Sequence, residues 1–69
     1  MNKRQIESAL KNAGVEAEVE HTGPFSWCIR GLEAIAIDVA IAVLEKKKWT
    51  YYDYESDGNG KFTIDVTDE

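Results

Sequence analysis

The spacing of apolar positions along this chain changes several times, and each change marks a predicted element. Ile6, Ala9, Leu10 and Ala13 recur at i, i+3, i+4 and i+7, the single stripe of an amphipathic helix. Asn2 stands where an N-cap belongs, with Gln5 three residues on, as in a capping box. Gly14 is placed as the C-terminal stop. From Val15 the period drops to two. Val15, Ala17 and Val19 alternate with Glu16, Glu18 and Glu20, a half-buried strand. His21-Thr22-Gly23-Pro24 reads as a turn, and Phe25, Trp27 and Ile29 then alternate with Ser26, Cys28 and Arg30 in a second strand.

Opposed residues of a hairpin share a face, so parity constrains the register. A three-residue loop over Thr22 to Pro24 sets Val19 opposite Trp27 and Ala17 opposite Ile29 inside, and Glu16 opposite Arg30 outside.

Residues 32–48 carry two patterns at once. Ile35, Ile37, Val39, Ile41 and Val43 alternate like a strand, yet the intervening positions are rich in alanine, the best helix former. A strand this long is unusual. Glu33 at the start and Lys46, Lys47 and Lys48 at the end suit a helix macrodipole. The sequence therefore predicts a helix. Leu32, Ile35, Val39 and Val43 form one of its stripes and Ile37, Ile41 and Leu44 another, so it must be covered on more than one side.

A last hairpin follows. Trp49 to Glu55 is rich in β-formers, Asp57-Gly58-Asn59-Gly60 is a turn, and Phe62, Ile64 and Val66 alternate with polar residues. A loop of Gly58, Asn59 and Gly60 turns Thr50, Tyr52 and Tyr54 inward and Trp49, Tyr51, Asp53 and Glu55 outward. The expected fold is a single α+β domain over residues 1–69. It has two layers in the order α-β-β-α-β-β: a four-stranded antiparallel sheet with both helices on one face.

Composition narrows the function. Lysine and arginine number 8 against 13 acids, for a net charge of −5. That balance disfavours direct nucleic-acid binding. The single cysteine, Cys28, excludes an internal disulfide framework and points to a reducing, cytoplasmic setting. No stretch has the pattern of a signal peptide or a membrane span. Residues 1–52 balance seven acids with seven bases, so the net charge sits in the final hairpin and tail.

Chemistry-bearing motifs are sparse. Glu55 to Thr63 resembles the first part of an EF-hand calcium loop. It begins with Glu55 rather than aspartate and has Val66 where the bidentate glutamate belongs, and a Gly-rich turn accounts for it without a metal. Lys46 to Tyr52 interleaves cations with aromatics, which a helix C-terminus followed by a strand explains equally. One histidine and one cysteine are too few for a zinc site, and His21 and Cys28 fall on opposite faces of their hairpin. No catalytic signature, metal site or cofactor motif is present.

The expected function is a non-catalytic protein-interaction module. Its partner would be a basic protein, held by an acidic, aromatic-bearing sheet face of Glu16, Glu18, Glu20, Trp49, Tyr51, Asp53 and Asp65. A special form of this is a nucleic-acid mimic of the sort encoded by a phage or mobile element. The alternative is a structural homodimer assembled on the second helix through Ile37, Ile41 and Leu44.

Overall fold

A computed structural model describes residues 1–56 and 58–68. Asp57 and Glu69, counted above in the turn and the acidic tail, lie outside the described residues. Helix α1 spans Lys3–Asn12. Its capping box forms as the sequence predicts: Gln5 N donates to Asn2 Oδ1 at 2.9 Å, and Asn2 N donates to Gln5 Oε1 at 3.0 Å. At its other end Gly14 adopts φ +81°. Gly14 N donates to the Lys11 carbonyl at 3.0 Å and Val15 N to the Leu10 carbonyl at 2.9 Å, a Schellman motif. The buried side chains of Leu10 and Val15 supply the apolar contact that accompanies it.

Strands β1 (Ala17–Gly23) and β2 (Ser26–Gly31) form the first hairpin. Its face assignment matches the alternation, with Val19, Trp27 and Ile29 buried. Its partners are displaced by two positions from those expected. Val19 opposes Ile29 and Glu18 opposes Arg30, because the turn is Pro24-Phe25 and Thr22 is an extra residue where the register shifts between His21 and Gly23. A shorter turn plus one bulged residue preserves parity while moving every pair. Phe25, expected inward, sits in the turn and is exposed.

Residues 32–48 are helical rather than extended, but the helix starts late. A 3₁₀ turn over Ala34–Ala36 leads into α2, Ile37–Lys46. Glu33 remains extended, and Ala34 N donates to the Gly60 carbonyl at the tip of the last hairpin. That bond ties the helix entry to the sheet.

Strands β3 (Thr50–Ser56) and β4 (Phe62–Thr67) complete an antiparallel sheet of order β1-β2-β4-β3. The chain crosses from β2 through α2 to the far edge and then returns, so that β4 fills the gap. The fold is α+β, with both helices on one face of the sheet. Ile6 and Leu10 of α1 and Ala40 and Leu44 of α2 pack with Val15, Val19, Trp27, Ile29, Phe62, Ile64 and Val66 in one core. Phe62 lies over Gly31 opposite it, where a methyl group would overlap the ring. Among the described residues no helix is long and apolar enough to cross a membrane.

The second hairpin departs from expectation in one half. Near the turn, Glu55 opposes Thr63 and Ser56 opposes Phe62, the predicted register. Beyond a bulge between Tyr52 and Glu55 the parity inverts: Tyr51 opposes Val66 and Tyr52 opposes Asp65. Asp53 takes φ +47° in that bulge, a left-handed conformation that aspartate tolerates better than most residues. Everything before Asp53 is therefore turned over relative to the sequence reading.

Candidate functional site

The face of the sheet away from the helices is polar, and pairing arranges it in transverse rows. One row runs Glu20, Cys28, Asp65, Tyr52, and the next runs Glu18, Arg30, Thr63, Glu55. Arg30 reaches diagonally to Glu20, with Nη2 2.7 Å from Oε2, and both side chains remain more than half exposed. It is the one cation of these rows. Around it stand Glu18, Glu20, Glu55 and Asp65. The twist of the sheet leaves a depression of about 550 Å³ lined by Cys28, Arg30, Asp53, Tyr54, Glu55, Thr63 and Asp65.

Partial burial and then the Asp65 carboxylate push the Cys28 thiol above its ordinary value, while Arg30 pulls it the other way. The thiol is thus held protonated, as a neutral member of an acidic surface. The depression is open to water. Exposed carboxylates in such a place attract and pair with cations.

The predicted partner set is only partly brought together. Glu18, Glu20, Asp53 and Asp65 share the outer face. Glu16 precedes β1 and instead lines a small crevice of about 110 Å³ with Gly14, Glu33 and Ala36 at the end of the sheet. Trp49 and Tyr51 are not on the outer face; both pack against the core on the helix side. The bulge at Asp53 is the reason for Tyr51. Trp49 is turned inward by a second Schellman motif, in which Trp49 N donates to the Leu44 carbonyl at 3.0 Å and Lys48 N to the Glu45 carbonyl at 3.1 Å. Tyr51 donates to Glu45 Oε1 at 3.3 Å and meets Tyr54 edge-on at 5.7 Å.

The aromatics that the outer face does offer are Tyr52 and Tyr54, which are 44% and 55% exposed and were both expected inside. Glu55 joins the surface as well. The bulge that moves Tyr52 leaves no mark in the alternation; Asp53 interrupts a run of β-formers, but an outward aspartate fits the unbulged strand equally.

No family model, curated protein or solved structure matches this chain. The surface is read from its own geometry.

The residues of the predicted dimer face pack within this chain's own core. Leu44 is fully buried, and Ile37 and Ile41 are half-buried against the core. That stripe is the one by which α2 rests on the sheet. The exposed apolar side chains are Leu32, Ile35 and Val39, from the other stripe, with Ile35 85% exposed. The calcium-loop resemblance includes Asp57 and so lies partly outside the described residues. Among the described residues no three His, Cys, Asp or Glu side chains gather as a metal site. His21 stacks on Trp27 with ring centroids 5.2 Å apart, on the face opposite Cys28.

Proposed function

We propose that this protein is a non-catalytic interaction module that docks a basic protein surface on the outer face of its sheet. The observation that carries the reading is the gathering of Glu18, Glu20, Glu55 and Asp65 from β1, β3 and β4 around Arg30 of β2, with Tyr52 exposed beside Asp65. The carboxylates steer a cationic partner into contact, and the tyrosine supplies apolar area once it arrives. Arg30 fixes the orientation of Glu20 and leaves the other carboxylates available. A reducing, cytoplasmic setting fits the lone Cys28. One special form of this function is a nucleic-acid mimic, in which the basic partner is a nucleic-acid-handling enzyme.

Titration of a fluorescent hexalysine probe tests the surface. The double variant Glu18→Lys, Glu20→Lys should weaken its binding roughly tenfold or more at low salt. Equal affinity for both proteins would sink the proposal.

A second reading, a homodimer built on the 3₁₀ turn and the exposed stripe of α2, draws on the 85% exposure of Ile35 beside the exposed Val39. Small domains commonly gain stability by association. Light scattering should then give a dimer mass that Ile35→Lys reduces to the monomer. A monomer at high concentration removes this reading.

A further inference from the structure

The helix layer carries a surface of opposite sign. Two adjoining concavities, of about 350 and 380 Å³, share Ala9, Asn12 and Lys47 and together make one trough between α1 and the end of α2. Its polar lining includes Arg4, Ser8, Asn12, Lys46 and Lys47, and no aspartate or glutamate lines either part. Among the described residues none of Arg4, Lys46 and Lys47 has an ion-pair partner.

Helix ends do not account for this charge. Two C-termini present about half a negative charge each, roughly one in total. Lys11 and Lys46, the basic residues of the two last turns, already exceed that. Arg4 and Lys47 are surplus. In a chain of net charge −5, a concave cationic surface free of carboxylates is complementary to an anion supplied from outside.

We infer that this trough binds an extended acidic segment of a partner polypeptide. Its length follows from α1: the lining positions run from Arg4 to Asn12, about 12 Å at 1.5 Å per residue. An extended strand rises about 3.3 Å per residue, so three or four residues fill it. The floor of Ala9, Ala13 and Val43 is small-sided and lets a backbone lie close.

Two other occupants fit less well. Trp49 is the one aromatic residue of the lining and is half-buried against the core, whereas single-stranded nucleic acid calls for exposed rings on which bases stack. The acidic sheet face of a second copy gathers its carboxylates around a depression, and two concave surfaces do not interlock.

The test is fluorescence anisotropy with labelled hexaglutamate, run beside a labelled thymidine hexanucleotide and unlabelled inorganic phosphate as competitor, using the full chain at low and at physiological salt. Hexaglutamate should bind saturably, more weakly as salt rises. Lys46→Gln with Lys47→Gln should weaken binding at least about fivefold, and Arg4→Gln should weaken it independently. Far-UV circular dichroism confirms that each variant is folded, and the single Lys47→Gln variant serves if the double one is not. Glu18→Lys with Glu20→Lys should leave this affinity within twofold, which separates the trough from the sheet face. Absence of saturable binding, indifference to the lysine variants, tighter binding of the hexanucleotide, or full displacement by phosphate at millimolar levels would each overturn the inference.

Discussion

Two residues with the same backbone duty show how much a single side chain can matter. Gly14 and Lys48 both occupy the left-handed position that closes a helix, at φ +81° and +60°. The hydrogen bonds are equivalent at the two ends, yet lysine has a Cβ that crowds the carbonyl there. Lys48→Gly should therefore raise stability by about 0.5–1 kcal/mol, relief of strain outweighing the added freedom of the unfolded chain. Gly14→Ala should lower it by about 1 kcal/mol. Urea midpoints followed by tryptophan fluorescence report both, and a fall for Lys48→Gly would contradict the strain. Gly31 is required for a different reason: the space a Cβ needs is filled by Phe62, which is fully buried. Gly31→Ala should cost about 1–3 kcal/mol by overpacking. In a Phe62→Leu background the same change should cost distinctly less, and additive costs would show that the ring is not the obstacle.

At the level of elements, legibility tracked how strictly a segment keeps one period. In α1, β1, β2 and β4 a single alternation or stripe carries the apolar residues, and their buried faces are those the pattern marks. Residues 32–48 obey two periods because alanines stand between β-branched residues. A strand would bury the odd positions from Ile35 to Val43 alike, yet Ile35 and Val39 are exposed, while Ile37, Ala40, Ile41 and Leu44, spaced i, i+3, i+4 and i+7, face the core, which satisfies only the helical one. Bulges were the illegible feature. An extra residue changes no side chain in the alternation; it changes which side of the sheet the next residues meet. At Thr22 the shorter turn compensated and only the pairing moved. At Asp53 nothing compensated, and Tyr51 and Tyr52 exchanged faces, which removed Tyr51 from the docking surface and supplied Tyr52 in its place. The bulge needs a residue that accepts φ +47°. Asp53→Asn should be nearly neutral, while the β-branched Asp53→Val should cost about 1–2 kcal/mol. Chemical denaturation of the two variants decides it, and a valine as stable as the asparagine would mean that the bulge migrates or dissolves.

The whole molecule separates its charges by layer. Carboxylates crowd the exposed sheet, and surplus cations line the helical trough. The Cα trace measures 29 × 22 × 17 Å, so even its shortest dimension is about twice the ~8 Å screening length at physiological salt. The two faces therefore present nearly independent fields to their surroundings. Both sheet edges are also guarded, one by charge and one by shape: Glu18 and Glu20 lie along β1, and β3 is broken by the bulge at Asp53, which discourages edge-to-edge pairing. Crowding like charges has a cost that Arg30 limits. Its exposed pair with Glu20 is by itself worth between zero and about 1 kcal/mol. Its position among Glu18, Glu55 and Asp65 gives it more to offset than one partner. Arg30→Gln should lower stability by about 0.5–1 kcal/mol at low ionic strength, and most of that loss should disappear in half-molar salt, where the mutual repulsion of the carboxylates is screened. Adding Asp65→Asn to the arginine variant should restore stability at low salt, because it removes one of the charges Arg30 faced. If the loss is the same at both salt concentrations, the guanidinium acts through packing and hydrogen bonding, and the acidic face is less of a field than its composition suggests.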